Sequence, residues 1–269
     1  MEIRKVGIIG RGIVGGALYS YFEKKMSMEV VVYDKGKNEG SIEEVNGADI
    51  VFVCVPTPWN DEERHFDTGI VEEVVGYLKK DKVIVIKSTM SIGATRKLQE
   101  KFPWHTIIFN PEFLTEQTAD QDMSYPDRQI IGYCDEKGYR ISRDILKILP
   151  LAQCEKVVPV EQAEAVKLFG NAWFATKVAL NNQFYDIWEG LGYDKDDYQK
   201  IADIMAMDKR IGRTHLRIWH KGYRGFGGMC LPKDTNCVIE QGGKNASILK
   251  EVVNYNDKLR RNNEDERDR

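Results

Sequence analysis

Cysteine is scarce in this chain. Its five residues, Cys54, Cys134, Cys154, Cys230 and Cys237, fall at irregular spacing with no Cys-x-x-Cys pair, which speaks against a disulfide framework and a structural zinc centre. Histidine is scarcer, and His215 and His220 stand five apart, off a common helical face. No metal site is expected. Basic residues are in no excess. Lys and Arg number 39 against 42 Asp and Glu, a formal net charge of -3, which excludes a phosphate-binding nucleic-acid surface. No apolar run approaches the roughly 20 residues that span a bilayer, so no membrane partner is expected. The N-terminus enters a strand-like segment without the layout of a signal peptide, which predicts a cytosolic protein.

What the chain does contain is alternation. The runs Lys5 to Gly10, Glu29 to Asp34, Ala48 to Val55, Lys82 to Thr89, Thr106 to Asn110 and Gln129 to Cys134 are β-branched and almost continuously apolar. Strands covered on both faces read this way. Helical stretches intervene at Val14 to Lys25, Thr68 to Lys80 and Ala94 to Lys101, so the pattern predicts an α/β, Rossmann-like, doubly wound parallel sheet. After Val160 the pattern changes. Glu161 to Trp188 lacks proline and predicts one long central helix, followed by helices over Lys195 to Met207 and Asn245 to Leu259. The expected organisation is a dinucleotide-binding domain over 1–158, an all-helical domain over 159–260 and a flexible charged tail over 261–269.

Gly10-Arg11-Gly12-Ile13-Val14-Gly15 follows a strand and opens a helix, with Asp34 at the end of the next strand. In that setting G-x-G-x-x-G is a pyrophosphate loop. Gly10 makes the turn, Gly12 lets backbone approach the phosphates, and Gly15 allows close helix–strand packing. Ile13 and Val14 contribute the positive end of the helix dipole. Asp34 is expected to accept from ribose hydroxyls and repel a 2′-phosphate. This favours NAD over NADP, although the adjacent Lys35 softens the exclusion.

A second segment, Gly225-Phe226-Gly227-Gly228-Met229-Cys230-Leu231-Pro232-Lys233-Asp234, sets a thiol in a glycine-rich polar loop beside a cation. A neighbouring positive charge favours the nucleophilic thiolate. Cys54, in its apolar strand, and Cys134 read instead as buried and inert. The segment resembles the nucleophile loop of the nucleotide-sugar 6-dehydrogenases, the UDP-glucose, UDP-ManNAc and GDP-mannose dehydrogenase family. Five more segments are similar and in the same order. Val53-Cys54-Val55-Pro56-Thr57-Pro58 and Ser88-Thr89-Met90 with Gly93 and Thr95 resemble its cofactor loops. Asn110 to Glu116 matches N-P-E-F-L-x-E. Glu164, Lys167 and Asn171 match its E-x-x-K-x-x-x-N, and Arg210-Ile211-Gly212 its R-I-G.

The resemblance implies a four-electron, two-NAD oxidation of a nucleotide-sugar primary alcohol to a carboxylate. Cys230 would carry the thiohemiacetal and thioester. Lys167 and Asn171, one helical turn apart, would stabilise the oxyanion. Glu112 would activate water, with Asp234 and Thr89 positioning water or protons. It further implies cofactor contacts at Val55, Pro56, Thr57, Ser88, Thr89, Glu116 and Lys233. The substrate would meet Glu112, Phe113, Leu114, Glu116, Lys167, Asn171, Arg210, Phe226 and Gly227. Family members generally continue into a third, nucleotide-gripping domain that this sequence is too short to hold, and extra residues stand around Trp219-His220-Lys221. Apolar residues on several faces of the long helix predict a homodimer through it. Two other readings stay open: a two-electron 3-hydroxyacid dehydrogenase, which has no use for the thiol, and an NAD-binding protein without turnover.

Overall fold

The computed structural model describes residues 2–261. The expected tail from residue 262 on lies outside the described residues, as does the side chain of Glu116. The chain divides into two compact units, residues 1–167 and 168–269.

The first unit opens with β1 (Lys5–Ile9), α1 (Ile13–Lys24), β2 (Glu29–Asp34), β3 (Glu39–Gly40), α2 (Ile42–Val45) and β4 (Ile50–Val53). The hairpin β5 (Trp59–Asn60) and β6 (His65–Phe66) follows, then α3 (Gly69–Gly76), β7 (Val83–Ile86), α4 (Ala94–Lys101) and β8 (Thr106–Phe109). It closes with α5 (Ala119–Ser124), β9 (Arg128–Tyr133), α6 (Glu136–Ile148), β10 (Cys154–Pro159) and the first turns of α7 (Val160–Gly190). Eight strands form one sheet in the order β10-β9-β8-β7-β4-β1-β2-β3. The six expected strands all form. β1, β2, β4, β7 and β8 are parallel, and the strand order reverses between β1 and β4. That reversal opens a crevice at the carboxyl ends of the strands, where ligands of such sheets bind.

The continuous apolar strands are buried on both sides because their alternate residues feed two cores. Val51, Val53, Ile84, Ile86, Ile107 and Phe109 pack under α3 and α4 with Val71, Val75 and Leu98. Ile50, Phe52, Val83, Val85 and Ile108 pack on the other face with Leu18, Phe22 and Ile145.

Three strands depart from the expected parallel pattern, the short β3, antiparallel to β2, and the pair β9 and β10. β9 runs antiparallel to β8, while β10 is parallel to β9. The segment between β8 and β9 turns back beyond the carboxyl end of β8, so only the last residues of β9 pair with it, Gly132 with Phe109 and Tyr133 with Ile108. Arg128 and Gln129, at the start of β9, thereby lie beside the segment that follows β8, over Phe113 and against Asn110. The parallel partner β10 follows by an α6 crossover.

The second unit holds the rest of the 31-residue α7, then α8 (Tyr198–Met205), the hairpin β11 (Trp219–His220) and β12 (Tyr223–Arg224), α9 (Leu231–Gly242) and α10 (Ser247–Arg261). Ala175, Val178 and Ala179 of α7 pack with Phe226, Val252 and Val253, and Tyr185 packs with Tyr198, Ala202 and Ile218. The helix expected from Lys195 begins three residues later, because the Asp194 carboxylate accepts from the Asp196 N–H at 2.9 Å and holds Lys195–Asp197 in a 3-10 turn. The extra residues around Lys221 make a two-residue hairpin. Lys221 and Gly222 both take positive φ (51° and 88°), the backbone of a type I′ turn that matches strand twist. Among the described residues no helix is long and apolar enough to cross a membrane.

Candidate active site

In the first unit the glycine loop has the geometry its sequence demands. Gly10 takes φ 88°, and a methyl there would lie 2.7 Å from the Cys54 carbonyl oxygen. A methyl on Gly15 would lie 1.9 Å from the Gly10 oxygen, so β1 and α1 can approach as they do only without one. At Gly12, the N-cap of α1, a methyl would meet no protein atom within 4 Å. No side chain caps this end of α1, and its first turn, containing Ile13, Val14 and Gly15, holds no acidic residue. An open cradle at an uncapped helix N-terminus fits the pyrophosphate of a dinucleotide.

Asp34 lies beside this loop. Its Oδ2 accepts from the Arg11 N–H at 2.6 Å and its Oδ1 from the Lys37 N–H at 3.0 Å. Partial burial pushes its carboxyl up, but these N–H donors and the Lys37 charge outweigh it and hold Asp34 below its ordinary value. Asp34 thus braces the glycine loop from the end of β2, with acceptor capacity left for a ribose. Lys35 points into solvent, 3.8 Å from Glu73. The loops after β4 and β7 are tied together at the crevice: Thr57 Oγ1 donates to the Thr89 carbonyl at 2.8 Å, and Ser88 Oγ to the Val55 carbonyl at 2.6 Å. Val55 and Thr57 are buried and Pro56 is exposed.

Next to these loops, the segment after β8 meets the first turns of α7. Lys167 Nζ donates to Glu112 Oε1 at 2.9 Å and to the Glu112 carbonyl at 2.8 Å, and Glu112 Oε2 accepts from the Leu114 N–H at 2.7 Å. Both side chains are nearly sequestered, at 7% and 14% exposure. Burial alone would raise the Glu112 carboxyl. Lys167, by charge and hydrogen bond, the Leu114 N–H and the charge of Lys87 together bring it below its ordinary value. Phe113 lies between two cations, the Arg128 guanidinium 3.9 Å from its ring centre and Lys167 Nζ 5.8 Å. Glu164 serves the fold instead. Its carboxylate accepts from the Gly93 N–H at 2.6 Å and the Thr95 N–H at 2.9 Å, capping α4.

In the second unit Cys230 is exposed at the N-cap of α9, with Pro232 in the first turn. Asp234, fully buried one turn on, accepts from Asn171 Nδ2 at 2.5 Å and from Lys233 Nζ at 2.8 Å, and its N–H donates to the Cys230 carbonyl at 3.1 Å. Lys233 Nζ thus also ties Asp234 from the neighbouring position. The Phe226 backbone before the thiol is clamped at both ends by the Asn256 amide, at 2.7 and 3.0 Å, and Gly227 lies against the Arg260 guanidinium.

The predicted residues therefore gather in two sets, one at the crevice with Glu112 and Lys167, the other at the start of α9 with Cys230, Asn171 and Asp234. Among the described residues, Arg210 pairs with Asp208. Its guanidinium is 90% exposed and folds back on Asp208. Residues that sequence reasoning misses include Lys87, Arg128 and Asn256, and Asn110 is legible only as the first residue of its motif. Lys87 carries a signal as a lysine at the end of the apolar run KVIVI; nothing local marks Asn256 as the clamp of a loop thirty positions earlier. Cys54 and Cys134 are as inert as expected, their thiols pushed up to about 12 by burial.

Comparison with known proteins agrees with this layout. Residues 37–149 match the NAD binding domain of the UDP-glucose/GDP-mannose dehydrogenase family, and residues 161–258 match its central domain. The UDP-glucose 6-dehydrogenase YwqF of Bacillus subtilis is 32% identical over 224 residues, 78% of this chain and 48% of that protein. The UDP-glucose 6-dehydrogenase of Campylobacter jejuni is 29% identical over 294 residues, 94% of this chain and 72% of that protein. The structure of a UDP-glucose dehydrogenase from Pyrobaculum islandicum superposes with a TM-score of 0.82 at 26% identity, covering 97% of this chain and 69% of that one. The chain spans about half the length of most of the curated relatives it matches. With its NAD-binding and central domains both matched in order, the chain belongs to the UDP-glucose/GDP-mannose dehydrogenase family.

Proposed function

We propose that the protein oxidises the primary alcohol of a nucleotide sugar of the UDP-glucose type to the carboxylate, through a covalent intermediate on Cys230. Bound NAD supplies the hydride acceptor, and the glycine loop, Asp34 and the Thr57–Thr89 and Ser88–Val55 ties are the groups that hold it. One alcohol, one water and two NAD give one carboxylate, two NADH and three protons. The observation that carries the reading is an exposed thiol at the N-terminus of α9, one turn from a buried Asp234 hydrogen-bonded to Asn171. That helix end favours negative charge on sulfur. The thiolate adds to the aldehyde carbon, giving a thiohemiacetal. Loss of hydride leaves a thioester, and water then displaces the thiolate.

Lys167 and Asn171, at i and i+4 on α7, are suited to stabilise the oxyanion in turn by charge and by hydrogen bond. Glu112, kept ionised, takes the proton of the hydrolytic water. Asp234 orients Asn171, and by the family's pattern Thr89 would position water or protons while Phe113, Leu114, Phe226 and Gly227 would contact the sugar. The same family supports roles for Arg210 at the substrate and for Lys233 and Glu116 at the cofactor.

Incubation of the purified chain with NAD and a panel of nucleotide sugars and 3-hydroxy acids decides the matter by the NADH formed per substrate consumed. Two from a nucleotide sugar supports this reading, and one from a hydroxy acid replaces it with simple alcohol oxidation. Cys230→Ala abolishes acid formation; unchanged acid output removes the covalent step. We also propose that the functional form is a homodimer. Phe169, Trp173, Leu180, Phe184 and Ile187 form one exposed apolar stripe along α7, which a second copy of the helix would cover.

A further inference from the structure

Lys87, directly after β7, is 5% exposed, and its backbone N–H donates to the Val53 carbonyl at 2.8 Å. A buried ammonium is costly, and a chain retains one where its charge is used. Nζ donates to Asn110 Oδ1 at 2.9 Å. Asn110 is itself fully buried, its Nδ2 held by the Ile130 carbonyl at 2.8 Å and Gln129 Oε1 at 3.2 Å. Two residues on comes Glu112. The titratable groups acting on Lys87 are Cys54 after β4, Glu112 after β8 and Lys167 on α7. Cys54 is a neutral thiol, so the charges that act on Lys87 are one carboxylate and one further ammonium.

This arrangement answers a difficulty in the chemistry. Lys167 is asked to pair with Glu112 and also to face the substrate oxyanion. When it turns to the substrate, burial pushes Glu112 towards taking a proton, and only the Leu114 N–H and the Lys87 charge remain to oppose that. We propose that Lys87 is a positioning residue for Glu112: fixed on Asn110, it holds the Asn110-Pro111-Glu112 turn and supplies the second positive charge that keeps Glu112 ionised. The role in turnover rests on the function proposed above, whereas the effect on Glu112 does not. Burial lowers Lys87 itself to about 8, which agrees with a charge held in place at neutral pH and released in base.

The test is a carbon-13 NMR titration of protein labelled at the glutamate carboxyl and lysine ε-carbon, with Glu112→Gln and Lys87→Met assigning the signals. In the wild type the Glu112 midpoint lies below that of an ordinary glutamate. In Lys87→Met and in Lys87→Gln, which keeps a donor for Asn110 but no charge, it moves to higher pH. An unmoved midpoint in both folded variants overturns the proposal. The wild type alone also decides: the Glu112 signal shows a second inflection at the Lys87 midpoint, and its absence overturns the proposal even if neither variant folds. If a nucleotide sugar is turned over, Lys87→Met lowers kcat on the order of tenfold, with KM within about twofold and the acid limb of the pH profile moved up. A purely structural lysine leaves that limb in place. Absence of turnover with every substrate, beside a shifted Glu112 midpoint, sinks the proposed function and leaves the role of Lys87 standing.

Discussion

A methyl group on Gly15 would overlap the Gly10 carbonyl, while one on Gly12 would enter empty space. The two glycines of one motif are therefore separable. Gly15→Ala is expected to lower Tm by several degrees and weaken NAD binding together. Gly12→Ala should leave Tm within about a degree and still weaken NAD about tenfold or more, since the methyl occupies the phosphate cradle. Thermal melts beside fluorescence titrations with NAD check the pair; a Gly12→Ala protein with wild-type affinity would remove the cradle from the binding site. Lys87 gives a signed pH prediction. Its folded value is depressed to about 8, below the ordinary 10.5, so between those values the unfolded chain binds more protons and stability rises with pH. Lys87→Met removes that rise: the stability of the variant relative to wild type is higher at pH 7 than at pH 10.5, falling between 8 and 10.5. Paired denaturant melts at pH 7 and 10.5 read the difference. Glu112 behaves oppositely. Its depressed carboxyl stabilises the fold above the ordinary glutamate range and loses that contribution as pH falls through its folded midpoint.

Elements are legible in the sequence where a single pattern governs them. β4, β7 and β8 are apolar at nearly every position because both faces are covered, and α4 and α7 are bounded to within a few residues by their composition. β10 escapes notice because an outer strand with Cys154, Glu155 and Lys156 exposed shows no apolar run. α6 is largely polar, and α9 is hidden by the Leu-Pro that opens it, although proline in a first turn is a start signal. The direction of β9 is not legible at all, since period-2 patterning is the same both ways. Within the site, residue types are legible and partners are not. Asp234 and Lys233 announce themselves, but that each engages the other depends on tertiary packing. Glu164 matches a motif without revealing that it caps α4. Removing it leaves the Gly93 and Thr95 N–H groups without their acceptor, so Glu164→Ala should cost about 2 kcal/mol in a denaturant melt. A loss under about 0.5 kcal/mol would mean water replaces the cap.

At the scale of the whole molecule, the apolar stripe on α7 is proposed to set the oligomeric state. Sedimentation at micromolar concentration is expected to give a dimer, and Trp173→Asp, at a position 66% exposed in one copy, should shift it to monomer without lowering secondary structure. A wild-type monomer at that concentration defeats the dimer. The five cysteines differ as sharply in their surroundings as the glycines do. Cys54 and Cys134 are held neutral by burial, and Cys237 is 2% exposed, while Cys154 and Cys230 are exposed. With Cys154 changed to serine, a maleimide dye at neutral pH would therefore attach at Cys230 alone. The protein thus offers a ready optical handle at the start of α9, protected by whatever ligand or acyl group occupies that sulfur and released when it leaves.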